Sequence, residues 1–318
     1  PPRSTLFPYT TLFRSALKRP RISVIVLALA EFSSVAAALR AFQNQTARHE
    51  LEIVVLARRE MNLDEADLVL VVGDSAPHEA RALGVVRASG DHVVLAEDHC
   101  LPDPDWAQAL LDRLEEGWDG VGPSMRSGNP SSLWAQAAFV LGYGEWIPPL
   151  KSPRLPGHNA VVRRQLLLDR GDSLADELLI GSLLMRDLQR GGARFCMEPR
   201  AAMAHYDCTV VPWAVLSFLA IGSGFGAQRS NRWSLLMRLG FALAAPLVAC
   251  LHWRRAFVHW RRSQPLFSPW AMVPAAVLAA AWALGESIGC CLGARRVGRW
   301  VELGEINRLA HVSPSERP

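Results

Sequence analysis

Four short apolar runs, rich in β-branched residues, most strongly restrict what this 318-residue chain can fold into. They lie at residues 22–29, 51–56, 67–72 and 92–95. Such runs are typical of strands that are buried on both faces of a parallel sheet. Helices are predicted between and after them, at residues 33–45, beginning at Ser33 or Ser34, and at 76–89 and 106–116. This alternation predicts an α/β fold with a doubly wound, mostly parallel sheet, which binds ligands at the carboxyl ends of its strands.

The rest of the first two thirds is less regular. Residues 117–154 are rich in Gly, Pro and Trp and give no clear pattern, whereas 173–190 predict a helix and 193–198 a short strand. Residues 5–15 read TLFPYTTLFRS, which lacks the basic and apolar regions of a signal peptide and resembles a translated sequencing adapter. We therefore interpret residues 1–15 as a non-native segment.

The composition changes near residue 230. Residues 16–230 carry 21 Lys or Arg and 26 Asp or Glu, whereas residues 231–318 carry 11 Arg and 4 Glu. A mildly acidic body with a basic, apolar tail is not typical of nucleic-acid-binding proteins, so no nucleic acid is expected as a partner. We predict one folded domain at 16–230 and a membrane-associated helical region with a basic tail at 231–318.

Two apolar segments in this tail, at 235–251 and 270–292, predict contact with a lipid bilayer. The second has Glu286 as its single charged residue and as a helix is about 34 Å long, enough to cross a bilayer core of about 30 Å. The first is shorter and contains Arg238 and Pro246. Either both segments form a spanning hairpin, or the first lies in the interface. Basic clusters flank the segments: Arg229 and Arg232; Arg254, Arg255, Arg261 and Arg262; Arg295, Arg296 and Arg299.

Polar residues directly follow the fourth predicted strand. Glu97 and His99 are two positions apart and can point to the same side, with Asp98 between them. A carboxylate and an imidazole suit Mn²⁺ or Mg²⁺, and the imidazole favours the softer ion. This pattern predicts a divalent-metal site, although a charged loop after a strand is also common without a metal.

Further segments follow in an order that is similar to a known family. EDHCLPDPDW at 97–106 joins the polar cluster to a Pro-containing turn and a Trp-containing helix. The other segments are ARALG at 80–84, ASGD at 88–91, GHNAVVRR at 157–164, DE at 176–177, QRGGARF at 189–195 and EPRA at 198–201, then His205. Together they resemble the family-2 glycosyltransferases, which have a GT-A fold, over about residues 21–207. The resemblance implies a GT-A-type domain at 16–230 and a membrane-attached, inverting glycosyltransferase.

The resemblance also implies roles for individual residues. Glu97, Asp98, His99 and His205 would hold Mn²⁺ or Mg²⁺ at the leaving diphosphate. Glu177, or with less preference Asp176, would take the proton of the acceptor hydroxyl. Substrate contacts would come from Arg81, His158, Asn159, Arg163, Arg164, Arg229, Arg232 and Trp233. The implied partners are a nucleotide-diphosphate sugar and a lipid-linked or saccharide acceptor, at the cytoplasmic face of the cell membrane.

The chain departs from this family's pattern in several places. The first two strands end in LALA at 27–30 and LARRE at 56–60, Asp-x-Asp becomes Glu97-x-His99, and 176–192 is about one helical turn longer. QRSNRW at 228–233 has one residue more than the Gln-x-x-Arg-Trp motif of processive synthases, and we interpret it first as a membrane-interface anchor. The alternative function is a catalytically degenerate GT-A-like protein that binds a nucleotide or carbohydrate, or acts as a scaffold. A nucleotidyltransferase is less well supported, because no Gly-rich basic loop follows the first strand.

Overall fold

The structure is a computed structural model that describes residues 19–29, 35–150 and 152–318. Its strands are β1 (Ile22–Ala28), β2 (Leu51–Ala57), β3 (Leu68–Val71), β4 (His92–Ala96), β5 (Cys100–Pro102), β6 (Gly120–Ser127), β7 (Val161–Arg163) and β8 (Phe195–His205). Its α-helices are α1 (Ala36–Gln43), α2 (Pro77–Arg87), α3 (Trp106–Glu115), α4 (Leu133–Tyr143), α5 (Arg164–Leu168), α6 (Leu174–Glu177), α7 (Gly181–Arg190), α8 (Val211–Arg229), α9 (Leu235–Leu243), α10 (Ala245–Arg262), α11 (Met272–Leu292) and α12 (Ala294–Glu305). The segment 1–15, Ala30, the helix start predicted at Ser33 or Ser34, and the side chains of Arg295 and Arg299 lie outside the described residues.

One mixed sheet, in the order β3-β2-β1-β4-β7-β6-β8-β5, forms the centre of the fold. β1 to β4 are parallel, as the four apolar runs predict. In the other half, β7 is antiparallel to β4 and β6, and β5 is antiparallel to β8, while β6 and β8 are parallel. The prediction of a mostly parallel sheet therefore holds for only one half. β5 and β7 are three-residue strands entered from loops, without the helical crossover that parallel neighbours require.

The apolar strands are buried because the sheet has a hydrophobic core on each face. Val24 and Val26 of β1 belong to the core under α1 and α3, where Trp106 lies edge-on to Phe42 with ring centroids 5.5 Å apart. The alternate residue Ile25 belongs to the other core, with α2 and α7. Since β4 lies between β1 and β7, in the middle of the strand order, its carboxyl end lies near the middle of the sheet and not at an edge strand.

The helix predicted over 173–190 is broken. Short 3₁₀ turns at Gly171–Ser173 and Leu178–Ile180 flank α6, and α7 begins only at Gly181. A Cβ on Gly181 would lie 2.6 Å from the Gly157 carbonyl oxygen, so the close approach of these two segments requires glycine and interrupts the helix. The strand predicted over 193–198 is the first part of β8, which continues past a bulge to His205.

Two helices are long and apolar enough to cross a membrane, by length and composition: α8 and Pro269–Leu292, which contains α11. The second was predicted as 270–292, whereas α8 was not predicted to be a membrane helix. The predicted segment 235–251 is divided between α9 and α10, which are bent by 61°. Pro246 in the first turn of α10 accounts for the break, because proline cannot donate the backbone hydrogen bond that would continue α9.

α8 and α11 pack backbone to backbone. A Cβ on Gly226 would overlap the Glu286 carbonyl oxygen, and one on Gly289 would overlap that of Ser223. Gly222 and Gly226 in α8, and Gly285 and Gly289 in α11, are each four residues apart, the small-residue spacing of closely packed apolar helices.

This packing predicts that Gly289→Ala destabilises the protein even though alanine favours helices. Overpacking typically costs about 1–3 kcal/mol, so the thermal unfolding temperature in detergent should fall. Gly240→Ala is the matched control, because no atom lies within 4 Å of a Cβ there and the better helix former should be neutral or stabilising. Equal unfolding temperatures for the two variants would contradict the close crossing.

Candidate metal centre

The pairing between β5 and β8 gathers ligating side chains at the carboxyl end of β4. Cys100 pairs with His205, and the Tyr206 amide donates to the His99 carbonyl oxygen at 3.0 Å. Because Glu97 directly follows β4, this register brings Glu97, His99 and His205 together, with one ligand atom of each within 4.8 Å of the others. These three buried residues are named the metal cluster below.

The spacing within the metal cluster fits a bound metal ion. The Nε2 atoms of His99 and His205 are 3.1 Å apart. Each also lies near a Glu97 carboxylate oxygen, at 3.8 Å for His99 and 3.7 Å for His205. Ligands bonded at about 2.0–2.2 Å to one ion are about 3.0–3.5 Å apart. The three side chains are therefore close to the geometry of a coordination sphere.

A carboxylate contacts Nδ1 of each imidazole, on the side of the ring away from the metal cluster. Asp98 Oδ1 lies 2.7 Å from His99 Nδ1, and Asp207 Oδ2 lies 3.0 Å from His205 Nδ1. Because a carboxylate only accepts, each contact places a proton on Nδ1, and in the neutral rings both Nε2 atoms then carry a lone pair. Two such lone pairs 3.1 Å apart repel unless a metal ion or a shared proton lies between them. Support of this kind is usual for metal-binding histidines.

The buried charges also favour a cation. The carboxylates of Glu97, Asp98 and Asp207 are all buried, at no more than 4% exposure. Among the described side chains, Arg308 is the arginine within ion-pair distance of them, with Nη1 3.6 Å from Asp207 Oδ1. Three carboxylates against one arginine leave two negative charges when the histidines are neutral, and a divalent ion would balance them.

Neutral donors hold Glu97 in place. Tyr143 donates its hydroxyl hydrogen bond to Glu97 Oε2 at 2.6 Å, and Asn159 Nδ2 donates to the same oxygen at 2.7 Å. Asn159 adopts a left-handed φ of 64° and accepts from the Glu97 amide at 3.0 Å. Burial alone raises the pKa of Glu97, but the positive charge of His99, His158 and His205 in their protonated forms, with a hydrogen bond from His158, lowers it well below its usual range. A metal cation at the same place would act on Glu97 in the same direction when the histidines are neutral. Burial also raises the pKa of Tyr143, so it remains a donor.

The surroundings of His99 favour its neutral form. Burial and the nearby Arg308 guanidinium lower the pKa of His99. A neutral imidazole keeps the lone pair that a metal needs.

The C-terminal segment closes the back of the site. The Asn307 amide donates to Asp98 Oδ2 at 3.0 Å, and the buried Arg308 faces Asp207. The His311 carbonyl oxygen accepts from the Thr209 amide at 3.0 Å, which ties this segment to the end of β8. The two carboxylates that orient the histidines are therefore themselves held by residues from the end of the chain.

A cavity of ≈ 130 Å³ lies beside the metal cluster. Its polar wall consists of Glu97, Tyr143, His158, Asp207 and Arg308. Apolar walls come from α8 and α11, and the amino end of α7 contributes Gly181 and Ser182. Of the metal cluster, Glu97 lines this mostly apolar cavity, and both histidines lie behind it, fully buried.

Two of the predicted substrate-binding residues lie at the metal cluster. His158 Nδ1 is 3.3 Å from Glu97 Oε1, and Asn159 holds the same carboxylate. Arg81 is a buried residue of α2. Substrate contact stays a prediction for all three.

Arg163 and Arg164 lie at the other end of β4. Arg163 pairs with His92, the first residue of β4, and forms an ion pair with Asp119 at 3.0 Å. Arg164 donates to two carbonyl oxygens at the end of α2, each at 2.7 Å. The structure does not bring these two arginines to the metal cluster.

The predicted base residues do not line the cavity beside the metal cluster. Glu177 accepts two hydrogen bonds from Arg170, at 2.7 and 2.8 Å, and one from Ser173. Burial raises its pKa, but these hydrogen bonds outweigh burial and lower it. Asp176 is exposed and lines a separate cleft of ≈ 740 Å³ with Gln228.

Arg229, Arg232 and Trp233 of the predicted membrane-interface anchor lie in three different environments. Arg229 forms an ion pair with the buried Glu286 at 2.9 Å. Arg232 is exposed, and Trp233 packs edge-on against Phe241 with ring centroids 5.5 Å apart. None of the three lines the cavity beside the metal cluster.

Sequence reasoning missed Tyr143, Asp207 and the pair Asn307 and Arg308. Tyr143 ends a helix in the segment that gave no pattern. Asp207 stands two positions after His205, and this spacing, the same as between Glu97 and His99, is a signal that could have indicated it. No sequence signal connects the C-terminal residues with β4.

No protein-family model and no curated protein sequence matches this chain. A proposal for its function therefore depends on the geometry of its sites and on the resemblance of its motifs.

The metal cluster predicts tight binding of a divalent transition metal, measurable by calorimetric titration of the purified protein with Mn²⁺ or Zn²⁺. Asp207→Asn removes only the support of a ligand and should weaken binding roughly 10- to 100-fold. His205→Ala removes a ligand and should cost more. His49→Ala is the control, because the His49 side chain is 73% exposed. Unchanged affinity in His205→Ala would overturn the site.

Proposed function

We propose that this protein is a membrane-attached, inverting glycosyltransferase that moves a sugar from a nucleoside-diphosphate donor to a lipid-linked or cell-surface saccharide acceptor. The observation that carries the proposal is the metal cluster, which lies at the carboxyl end of the parallel strand β4 and beside a cavity. Ligands of doubly wound sheets bind at such strand ends. The ordered motifs between residues 80 and 205 support it, because they resemble the family-2 glycosyltransferases and their GT-A fold.

The chemistry of the metal cluster suits this reaction. A divalent cation bound there would neutralise the charge that develops on the leaving diphosphate. Two imidazoles and one carboxylate suit Mn²⁺ better than Mg²⁺, which prefers oxygen ligands. Hydrogen bonds from neighbouring groups hold each of the three ligand side chains in place. The ligand atoms are therefore close together before any substrate binds, and the metal cluster needs little reorganisation.

Three residues are candidates for the base that accepts the acceptor proton. Glu177 is engaged by Arg170 and has a lowered pKa, which makes it a weaker proton acceptor. Asp176 is exposed to the separate cleft. His158 lines the cavity beside the metal cluster, which makes it the candidate nearest to the site of reaction.

One observation favours the alternative, a non-catalytic protein that binds a nucleotide or carbohydrate. Among the described residues that line the cavity, the carboxylates are Glu97 and Asp207, and both are already engaged with the metal cluster. A protein that binds a donor without a carboxylate base nearby would hold the sugar nucleotide and not transfer it.

Turnover of a panel of nucleoside-diphosphate sugars with Mn²⁺ tests the proposal. Release of nucleoside diphosphate is expected, and Glu97→Gln should slow it by at least about 10²-fold because a charge-stabilising group is lost. Glu115→Gln on the exposed side of α3 is the control, since its side chain is 65% exposed. Donor binding without turnover would favour the non-catalytic alternative, and absence of donor binding would contradict both the glycosyltransferase and a nucleotide-binding protein.

The same assay identifies the base. Asp176→Asn, Glu177→Gln and His158→Gln are compared for turnover and for donor affinity. Loss of the true base should cost about 10²–10⁴ in rate with little change in donor binding. A variant that loses rate and donor affinity together would instead indicate a substrate-binding role for that residue.

We further propose that the helical region attaches the body to the cytoplasmic face of the membrane. Large apolar side chains on α9, α10, α11 and the turn before α11 face solvent: Leu235, Leu236, Leu243, Leu247, Trp270 and Val273 are 63–84% exposed. Exposed arginines follow on α10, where they would meet anionic headgroups.

Contacts before α11 and after α12 favour attachment within the interface over a spanning hairpin. Before α11, the Ser268 amide donates to Gln136 of α4 at 2.8 Å. After α12, Asn307 donates to Asp98. The segment from α11 to α12 thus contacts the same body before its start and after its end, and the outward apolar face of α11 can enter the bilayer surface.

Vesicle co-sedimentation tests this attachment. The protein should bind vesicles of phosphatidylcholine and phosphatidylglycerol, and the double variant Leu236→Glu, Leu243→Glu should weaken binding at least about tenfold because two charges enter the apolar face. Val86→Glu is the matched control: Val86 is 54% exposed on α2. Resistance of the membrane-bound protein to carbonate extraction would favour a spanning hairpin instead.

A further inference from the structure

A second cavity, of ≈ 270 Å³, lies between the α/β body and helices α8, α10 and α11. It adjoins the cavity beside the metal cluster, and the two share five wall residues: Gly142, Trp146, Ser182, Phe225 and Trp282. A molecule in the second cavity therefore lies one side chain away from the cavity that Glu97 of the metal cluster lines.

The second cavity is basic. Four arginines line it, one each from a loop, α7, α8 and α10, against two glutamates. Both glutamates are already paired: Glu145 with Arg154 at 2.7 Å, and Glu286 with Arg229 at 2.9 Å. His252 also contacts Glu286, at 3.2 Å. Both glutamates of the wall are thus neutralised by ion pairs, and the cavity keeps a net positive charge from its other arginines.

Arg186 and Arg255 supply that remaining charge. Neither has an ionic or hydrogen-bond partner among the described residues, and both remain accessible to solvent. Burial and then the neighbouring Arg154 lower the pKa of Arg186, which reflects cations crowded together.

Three buried polar atoms in the wall lack a hydrogen bond in the described part of the chain: Trp282 Nε1, His259 Nδ1 and Glu145 Oε1. Of these, Glu145 Oε1 lies in the ion pair with Arg154. An indole N–H can only donate, so it requires an acceptor. Unpaired guanidinium groups and an unpaired N–H in one cavity are the donor set of an anion site.

We propose that this basic cavity binds the phosphate group of a lipid acceptor, with Arg186 and Arg255 as its main contacts. Arginine forks match the oxygens of a phosphate monoester or diphosphate, and a phosphate oxygen would accept from Trp282. The inference deepens the proposed function and rests on it for the role of the lipid as acceptor. The phosphate would lie beside the cavity into which the donor sugar is delivered.

The surroundings favour a lipid over a soluble phosphate. The cavity is walled by α10 and α11, whose outer faces carry exposed apolar side chains such as Leu247 and Val277. A chain attached to the bound phosphate can therefore leave along an apolar surface. A soluble sugar phosphate would gain nothing from these faces.

Equilibrium binding in neutral detergent micelles tests the proposal without any turnover. The probes are a long-chain polyprenyl monophosphate, the corresponding polyprenol, inorganic phosphate and inorganic diphosphate. Only the polyprenyl monophosphate should bind tightly, about 10²-fold or more above either inorganic anion. Arg186→Gln and Arg255→Gln should each weaken it about tenfold or more, and Arg186→Lys less, because it keeps the charge.

Two matched controls lie on the same helices. Arg190→Gln, one turn after Arg186, and Arg254→Gln, next to Arg255, remove the same charge from outside the cavity. Equal losses in controls and test variants would show general attraction to the anion and overturn the proposal. Equal affinity for inorganic phosphate and the lipid would overturn the lipid assignment. Retained Mn²⁺ affinity shows that each variant is folded.

The outcomes separate this inference from the proposed function. Tight, arginine-dependent binding of the polyprenyl monophosphate supports the cavity even if no donor is turned over. Sugar transfer to another acceptor, together with no binding of the polyprenyl monophosphate, overturns the cavity and leaves the glycosyltransferase proposal in place.

Discussion

The structure depends on one electrostatic constraint: two imidazole nitrogens, 3.1 Å apart and fully buried, face each other beside a buried carboxylate. Without a metal ion or a shared proton, two lone pairs would face each other, and negative charges would be left without a counter-ion. A bound divalent ion resolves both problems at once. A buried polar network is costly when some of its groups lack partners. The surrounding elements must therefore hold the side chains of the metal cluster in positions where their hydrogen bonds are made.

Support for this cluster comes from distant parts of the chain. β4 supplies Glu97, the β5–β8 pairing supplies both histidines, and α4 supplies Tyr143. The C-terminal segment, 209 positions from Asp98, supplies Asn307. The helical region therefore has a structural role of its own, since the segment after α12 completes the support of the metal cluster. Loss of the C-terminal segment would weaken the metal cluster without touching any ligand.

The sequence predicts local features better than contacts between distant segments. β1 to β4 follow from their apolar, β-branched runs, because burial on both faces leaves few other choices. Glu97, His99 and His205 follow from strand ends and from the resemblance. Tyr143 and Arg308 could not be predicted, because their positions depend on how α4 and the C-terminal segment pack. The break at Gly181, which separates Glu177 from the cavity, results from a backbone contact with Gly157 that no periodicity reveals.

The crossing of α8 and α11 links the two cavities. Gly226 and Gly289 allow the helix backbones to touch, and this brings Trp282 inward as a wall of both cavities and Glu286 within reach of Arg229. A wider crossing would open the space between the cavities and expose Glu286. Glycine at these positions therefore determines more than helix packing. It sets the distance between the metal cluster, where a donor would react, and the basic cavity, where we place the phosphate of the acceptor.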